Sequence, residues 1–242
     1  MSPPQQPKAA MVFAAGLGLR MRPLTETLPK PLVKVAGKTL IDHCLDRLAE
    51  AGVERAVVNV HYLADQIEAH LKGRRRPEIL ISDEREKLLD QGGGVKRALP
   101  LLGEAPFLIC NTDAFWLEGP HSNLARLAAD WNSDEMDISL LVAPTVSAVG
   151  LDWPGDFTLS RDGWLTRRKE REVAPYVYSG VGVIKPELFA QHSEDAFRLA
   201  PLFFKAAEER RLRGVRLDGV WIHVGYPEAI ADAERAIDRS TL

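Results

Sequence analysis

Short apolar runs alternate with amphipathic helical patterns through the first half of this sequence. Runs with the length of buried strands occupy residues 11–14, 55–60, 78–82 and 107–110. Helix patterns lie between them, after Thr39, from Leu63 to Gly73 and at residues 95–102. Strands that alternate with helices through short connections form right-handed βαβ units. The sequence therefore predicts an α/β fold with a mostly parallel sheet flanked by helices.

The second half of the chain predicts a more mixed arrangement. We expect helices at residues 122–129, 199–210 and 227–238, and strands at 136–142, 177–184 and 220–224. An Asp-Gly turn at residues 162–163 predicts a small antiparallel hairpin between 157–159 and 164–166. The chain has no internal repeat, composition break or long linker. We therefore expect one Rossmann-like domain over residues 9–242, preceded by a disordered tail at 1–8.

Charge and composition argue against several classes of protein. The net charge of −3 provides no overall attraction for nucleic acid. Two local basic runs, at 74–76 and 167–169, lack interleaved aromatic residues, and we interpret them as solvated faces. The two cysteines are not in a C-x-x-C spacing, no apolar run has the length of a membrane span, and the N-terminus lacks a signal sequence. We expect a cytoplasmic protein that binds neither nucleic acid nor membranes.

A glycine loop follows the first predicted strand and has the composition of a phosphate site. Gly16 and Gly18 allow backbone N–H groups to approach a ligand, and Arg20 and Arg22 offer planar, bidentate donors. The loop is neither a dinucleotide fingerprint, because Met21 replaces the third glycine, nor a Walker A loop. A tight turn with two surface arginines is the alternative interpretation.

Further polar groups follow the same loop and the other predicted strands. Lys30 lies between two prolines that restrict the backbone and reduce the entropy cost of presenting its side chain. Asn59 and His61 follow the second strand, and Asp113 follows the fourth. The carboxyl ends of parallel strands share one edge of a sheet, where ligands bind. Asp113 is a candidate Mg²⁺ ligand there.

The glycine run 92–94 has two interpretations. It precedes the short helix predicted at 95–102, and three glycines allow a flat group to approach the backbone. Gln91 beside it can both donate and accept hydrogen bonds, as recognition of a base requires. A flexible loop is the alternative.

Together these segments resemble the sugar-1-phosphate nucleotidyltransferases. The likeness rests on AAGLGLRMRP at 14–23, PKPL at 29–32, QGGG at 91–94, NTD at 111–113 and SG at 179–180. Within the family, the sequence is most similar to the short N-acetylmuramate-1-phosphate uridylyltransferases of bacterial cell-wall recycling. The resemblance implies a GT-A-like nucleotidyltransferase fold and a single displacement in which a sugar 1-phosphate attacks the α-phosphorus of a nucleoside triphosphate.

The resemblance also implies roles for individual residues. It assigns catalysis to Arg20, Lys30 and Asp113. It assigns nucleotide binding to Ala14, Ala15, Gly16, Gly18, Arg20, Gln91 and Gly94. The sugar-phosphate side is assigned to Asn59, His61, Asp156, Ser179 and Gly180. No general base is required, because the attacking phosphate is already an anion.

One position departs from the family pattern and bears on the metal. Where the family carries a second metal-binding aspartate in W-x-D-x-G-T, this chain has His223 in Trp221-Ile222-His223-Val224-Gly225-Tyr226. Asp113 and His223 are the predicted metal ligands, with Mg²⁺ as the expected ion. Imidazole favours softer metals, so Mn²⁺ and Co²⁺ are alternatives. His223 contacting phosphate as a cation, and an impaired metal site, are the other interpretations.

The resemblance leaves the substrates open between related choices. UTP and N-acetylmuramate 1-phosphate are expected, with a mannose- or heptose-1-phosphate guanylyltransferase as the alternative. A nucleotide-sugar-binding regulator that has lost catalysis is the alternative of another class. We expect small-molecule partners only, and a monomer or weak homodimer.

Overall fold

The strand–helix alternation predicted for the first half is present in the structure. The computed structural model of the protein describes residues 6–190 and 192–240. Its strands are β1 (Ala9–Phe13), β2 (Lys34–Val35), β3 (Lys38–Thr39), β4 (Arg55–Val60), β5 (Glu78–Asp83), β6 (Phe107–Asn111), β7 (Ala114–Glu118), β8 (Ile138–Pro144), β9 (Phe157–Leu159), β10 (Leu165–Arg167), β11 (Tyr176–Ile184), β12 (Leu212–Arg216) and β13 (Gly219–His223). Its α-helices are α1 (Leu40–Glu50), α2 (Ala64–Leu71), α3 (Asp90–Leu102), α4 (Asn123–Asp130), α5 (Glu187–Ala190), α6 (Ala200–Glu208) and α7 (Glu228–Ser240).

A nine-stranded mixed sheet forms the centre of the fold. Strands β5, β4, β1 and β6 lie side by side and are parallel, as the βαβ pattern predicts. Strand β11 then pairs antiparallel with β6, β8 and β9, while β12 runs parallel to β8 and β10 completes the predicted hairpin with β9. Strands β7 and β13 form a separate antiparallel pair. The expected α/β class, mostly parallel sheet and small antiparallel region are therefore confirmed.

The register of the parallel strands brings the predicted polar groups to one edge. Phe13, the last residue of β1, is aligned with Asn59 of β4 on one side and Asn111 of β6 on the other. The segments that follow these residues consequently leave the sheet at the same level. This confirms the prediction that the glycine loop, Asn59 and the segment after β6 share the carboxyl edge.

Alternate strand residues pack against helices on opposite faces of the sheet. Ala10 and Val12 contribute to a core that also contains apolar residues of α1, α2 and α4. Ala9 and Met11 contribute to a second core with residues of α3 and α6. Helix α1 begins where predicted, because the Thr39 hydroxyl accepts a hydrogen bond from the backbone N–H of Asp42.

The structure corrects the prediction for the glycine run. Helix α3 begins at Asp90 and includes residues 92–94, whereas the sequence predicted a helix only from residue 95. Glycine has low helix propensity, but Gly92 and Gly93 lie against residues 195–197 and Gly94 lies against Glu84 and Asn59, which leaves no room for side chains. Close packing of the chain on itself therefore explains the run.

Other elements were not predicted or fall partly outside the described residues. Strand β7 follows Asp113 after no recognisable turn residue, and it is defined by its distant partner β13. Of the predicted tail at 1–8, residues 1–5 lie outside the described part of the chain. Lys8 is not part of a disordered tail, since its carbonyl accepts hydrogen bonds from the backbone N–H groups of Glu54 and Arg55. Across 6–190 and 192–240, no helix combines the length and apolar character needed to cross a membrane.

Candidate active site

A cavity of about 530 Å³ opens at the carboxyl edge of the parallel strands. Its wall combines the loop after β1, the Lys30 turn, the end of β6 and the start of α3. Five of the residues predicted to bind nucleotide line it, namely Ala14, Ala15, Gly16, Gly18 and Gln91. We call this space the first cavity.

The two glycines of the loop differ in their backbone conformation and in the space around them. Gly18 has a left-handed backbone with φ of 65°, and a Cβ atom there would lie 3.1 Å from Thr25 Cγ2 and 3.2 Å from Lys30 Cβ. Apart from its two chain neighbours, no described residue has an atom within 4 Å of the Cβ position of Gly16. Gly18 therefore shapes the loop, whereas Gly16 leaves space on the cavity side.

A buried polar network supports the loop from below. Asn59 Oδ1 accepts from the backbone N–H of Ala14 at 2.8 Å, and Asn59 Nδ2 donates to Glu84 Oε1 at 2.8 Å. Glu84 is only 1% exposed, and burial raises the pKa of its carboxyl despite the hydrogen bonds from Asn59 and Leu89 N–H. The network fixes the orientation of the Ala14 backbone.

Sequence reasoning missed Glu84 and assigned two of its neighbours to the sugar side. The signal for Glu84 was its position directly after β5, at the same edge as the other polar groups. Asn59 lines the first cavity and its amide binds the loop after β1, so its assignment to the sugar side stays a prediction. His61 lines neither this cavity nor the second one described below; its Nδ1 lies 2.7 Å from the carbonyl oxygen of Glu84.

Lys30 and Asp113 line the first cavity, and His223 lies beside Asp113. A 3₁₀ turn, Lys30–Leu32, presents the lysine, whose Nζ donates to Asp113 Oδ2 at 3.0 Å. His223 Nε2 lies 3.7 Å from the same oxygen, which is too long for a hydrogen bond. Burial opposes ionisation of Asp113, but the positive charge of Lys30 outweighs it and holds the pKa of Asp113 well below its usual range.

The orientation of His223 is set by a backbone carbonyl. Its Nδ1 lies 3.2 Å from the carbonyl oxygen of Gly150, which can only accept, so Nδ1 carries the proton. The imidazole also stacks on Trp221 and meets Trp153 edge-on. These contacts leave Nε2 facing Asp113 in a buried position.

A second, smaller cavity of about 190 Å³ continues from the first. The two cavities share Asn111 and Asp113. Three of the residues predicted for the sugar phosphate line the second cavity together with His223, namely Asp156, Ser179 and Gly180. The ionised Asp113 therefore stands where the two spaces meet.

The wall of the second cavity carries several oriented polar groups. Asp156 accepts from the backbone N–H of Tyr178 at 2.9 Å and from Trp153 Nε1 at 3.2 Å, and burial raises its pKa. The Ser179 hydroxyl is buried and has no hydrogen-bond partner among the described residues. Gly180 has a φ of 90°, and a Cβ there would lie 2.9 Å from Asn111 Cβ. This wall can bind a ligand with hydroxyl groups.

Asn111 was not among the predicted site residues. It lines both cavities, and its Oδ1 accepts from Gln91 Nε2 at 3.0 Å. Its position immediately before Thr112 and Asp113 at the end of β6 was the available signal.

Two predicted nucleotide-binding residues lie elsewhere. Arg20 is exposed on the 3₁₀ turn Leu19–Met21, outside the lining of both cavities. Gly94 lies within α3, and its Cβ position is 2.7 Å from Glu84 Oε1 and 3.0 Å from Asn59 Nδ2. Gly94 therefore contacts the buried network and not the cavity, because the predicted loop is a helix.

Comparison with known proteins places these features in a family. The sequence model of the nucleotidyl transferase family matches residues 9–149. The chain is 50% identical to the N-acetylmuramate alpha-1-phosphate uridylyltransferase of Caulobacter vibrioides over 95% of its length and 97% of that protein. The enzyme with the same name from Neisseria meningitidis is 36% identical over 93% of the chain and 96% of that protein.

The fold agrees with solved structures as well. The UDP-glucose pyrophosphorylase of Acinetobacter baumanii superposes with a TM-score of 0.77 at 16% identity, over 94% of this chain and 92% of the other. At that identity the likeness concerns the fold alone. The family match, the two sequence relatives and the joined cavities around Asp113 agree, and the chain belongs to the nucleotidyl transferase family as a sugar-1-phosphate nucleotidyltransferase.

Proposed function

We propose that this protein transfers the uridylyl group of UTP to N-acetylmuramate 1-phosphate, giving UDP-N-acetylmuramate and pyrophosphate. The observation that carries the choice of substrates is the 50% identity to the Caulobacter vibrioides enzyme over nearly the whole of both chains. Two joined cavities of unequal size support a reaction between two bound small molecules. Residues 9–242 would act as one catalytic domain, an assignment supported by the continuous sheet from β1 to β12.

The proposed reaction is a direct displacement at phosphorus. A phosphate oxygen of the sugar 1-phosphate forms a bond to the α-phosphorus of UTP. The bond from that phosphorus to the bridging oxygen of the β-phosphate breaks, and pyrophosphate leaves with the electron pair. The nucleophile is already an anion, so catalysis depends on positioning and on neutralising charge.

The residues of the two cavities suit these two tasks. The loop at Ala15, Gly16 and Gly18 would direct backbone N–H groups to the triphosphate, while the N–H of Ala14 stays bound to Asn59. Lys30 Nζ would donate to a phosphate oxygen beside its ion pair with Asp113, which lies at the junction of the cavities. The junction is where a sugar phosphate and an α-phosphate would meet. Arg20 would reach the phosphates only if its turn moves toward the cavity.

A divalent cation is part of this proposal, and the residues present fit one. The Nδ1 atom of His223 contacts the carbonyl oxygen of Gly150, and its Nε2 atom faces Asp113. This arrangement is common to metal-binding histidines. Asp113 and His223 would hold the ion, and it would supply positive charge to the phosphates. Within the described part of the chain no group of three or more His, Cys, Asp or Glu side chains converges, so substrate oxygens would complete the ligand set.

Pyrophosphate release over a substrate panel tests the function. Four nucleoside triphosphates would each be combined with the 1-phosphates of N-acetylmuramate, N-acetylglucosamine and mannose. We expect the highest kcat/KM with UTP and N-acetylmuramate 1-phosphate. Release with GTP alone would overturn the uridylyl assignment in favour of a guanylyltransferase. No release with any pair would favour a binding protein without catalysis.

The metal assignment has a separate test that does not depend on turnover. Binding of Mn²⁺, and its displacement by Mg²⁺, would be measured by electron paramagnetic resonance for the wild type and for His223→Asp. We expect His223→Asp to shift preference toward Mg²⁺, because a carboxylate replaces an imidazole. Identical metal preference in both proteins would rule out His223 as a ligand.

A further inference from the structure

A third cavity, lined by a basic run, lies next to the second. It has a volume of about 740 Å³, and Asp156 lines both the second cavity and this one. Arg167, Arg168 and Lys169 form much of its wall. We call this space the basic cavity. Arg167 and Lys169 are exposed, as the interpretation of 167–169 as a solvated face predicts, and the run also lies beside the second cavity.

The two arginines of the run are held in place without carboxylate partners. Arg168 donates from Nε to the carbonyl oxygen of Gly155 at 3.0 Å, and from Nη1 to those of Lys169 and Glu172 at 3.2 and 2.9 Å. The guanidinium of Arg167 lies 3.8 Å from the centre of the Phe204 ring. In the described ranges neither arginine forms an ion pair with an acidic side chain, in contrast to Arg213, which pairs with Asp130.

The balance of charge on the wall remains positive. Asp156 and Glu170 also line the basic cavity, so three cations face two carboxylates. Asp156 already accepts hydrogen bonds from Tyr178 N–H and Trp153 Nε1, which compensate part of its charge. The guanidinium of Arg168, fixed by backbone carbonyls, retains Nη2 without a described partner. A preorganised guanidinium of this kind suits a carboxylate.

Strand β11 gives the spacing between the reaction centre and this wall. Gly180 contacts Asn111 at the junction of the first and second cavities, and Tyr178 binds Asp156 two residues earlier. Asp113 and Asp156 both line the second cavity, which has a volume of about 190 Å³. A sugar ring whose phosphate lies at Asp113 would therefore reach Asp156, and a substituent on the far side of the ring would extend into the basic cavity.

The substrate of the proposed function has such a substituent. N-acetylmuramate differs from N-acetylglucosamine by a lactyl ether that ends in a carboxylate. We propose that the basic cavity binds this lactyl carboxylate, with Arg168 as the main contact, and thereby selects N-acetylmuramate 1-phosphate over sugar 1-phosphates that lack it. This inference rests on the proposed function for the identity of the sugar, and it adds the residues that determine specificity.

The test compares three sugar 1-phosphates that differ only at the lactyl position. N-acetylmuramate 1-phosphate, its lactyl amide and N-acetylglucosamine 1-phosphate would be assayed with wild type, Arg168→Gln and Lys169→Gln. Arg168→Lys keeps the charge without the planar fork. Arg75→Gln is the matched control, since it removes the same charge from an exposed residue just before β5, at the opposite edge of the sheet.

We expect Arg168→Gln to lower kcat/KM for N-acetylmuramate 1-phosphate about tenfold or more, as loss of a charge-assisted hydrogen bond implies. Its kcat/KM for N-acetylglucosamine 1-phosphate should stay within about twofold of wild type. Lys169→Gln should show a smaller loss with the same selectivity, Arg168→Lys should recover part of the loss, and Arg75→Gln should match wild type. The preference of wild type for carboxylate over amide should vanish in Arg168→Gln.

Calorimetric Kd values for the three sugar phosphates separate this inference from the proposed function, because binding requires no turnover. An enzyme that binds N-acetylmuramate 1-phosphate selectively but transfers no uridylyl group would refute only the proposed function. Equal losses for all three sugars in both Arg168→Gln and Lys169→Gln, or equal affinity of wild type for carboxylate and amide, would overturn carboxylate recognition. Thermal melting of each variant checks folding. If Arg168→Gln does not fold, carboxylate recognition is tested by Lys169→Gln and by the affinities of wild type for N-acetylmuramate 1-phosphate and its lactyl amide.

Discussion

Substitution of Gly94 by alanine separates two explanations of the glycine run. If Gly94 faces the base of a bound nucleotide, Gly94→Ala should affect ligand binding and leave the fold intact. In the structure the added Cβ lies 2.7 Å from Glu84 Oε1 and 3.0 Å from Asn59 Nδ2. Glu84 cannot swing away into solvent, since it is 1% exposed and held by Asn59 and Leu89 N–H. We therefore expect a loss of stability.

The size of that loss follows from the contacts. Relieving the overlap requires Glu84 to shift and weakens its hydrogen bond to Asn59, worth about 1.5–3 kcal/mol because the acceptor is charged. Alanine offsets about 1 kcal/mol of this through its higher helix propensity. The net destabilisation is about 0.5–2 kcal/mol, which corresponds to a fall in Tm of about 1–8 °C for a chain of this size. Calorimetry and urea denaturation measure both quantities.

Two further variants test the packing explanation for Gly94. In a Glu84→Ala background the nearer of the two atoms that meet the new Cβ is gone and only Asn59 Nδ2 at 3.0 Å remains, so Gly94→Ala should cost less stability than in wild type. Gly16→Ala is the contrasting variant, since its Cβ position has no described neighbour within 4 Å. It should leave Tm unchanged and raise the KM for UTP. A Gly94→Ala protein with the Tm of wild type and a raised KM for UTP would refute the packing explanation.

The remaining predictions concern charges at the site. Lys30→Ala should lower kcat about 10²–10³-fold, as loss of a cation that stabilises transition-state charge does, with circular dichroism showing an intact fold; full activity would show that the phosphate site is misplaced. Burial raises the pKa of Glu84 above its ordinary value of 4.5, so its contribution to stability is greatest below pH 4.5 and is lost as pH rises. The free energy of unfolding of wild type minus that of Glu84→Gln should therefore decrease between pH 4.5 and 7, and urea titrations that show no such change would contradict it. Asp156→Asn should raise the KM for the sugar 1-phosphate about tenfold and leave the KM for UTP unchanged; steady-state kinetics with equal effects on both would contradict the placement of the sugar.

Local patterns were sufficient to predict the parallel half of the fold. Each strand from β1 to β6 of the central sheet is a short apolar run bounded by turn residues, and Thr39 marks the start of α1 through its hydroxyl. The shared edge followed from these elements, because parallel strands joined by helices must end together. The placement of the glycine loop, Lys30 and Asp113 around one cavity is a consequence of that edge.

What depends on distant contacts could not be predicted in this way. Gly92 and Gly93 lie in a helix whose face is covered by residues 195–197, about a hundred positions later in the chain. Asn59 was assigned to the sugar side, but the position of its amide depends on Ala14 and Glu84, which are brought to it by the register of three strands. No periodicity within a short window contains that information.

The change of strand direction between β6 and β11 explains why Asp113 lies where two substrates would meet. On one side of β6 the strands are parallel, and their carboxyl ends gather the loop and Lys30 around the first cavity. On the other side β11 runs in the opposite direction, with Val181 aligned to Cys110. The amino-terminal half of β11 therefore passes the same edge and supplies Ser179 and Gly180 to the second cavity. Since β6 is the boundary strand, the residues that follow it belong to both spaces, and a charged group at that point can act on both reacting phosphates.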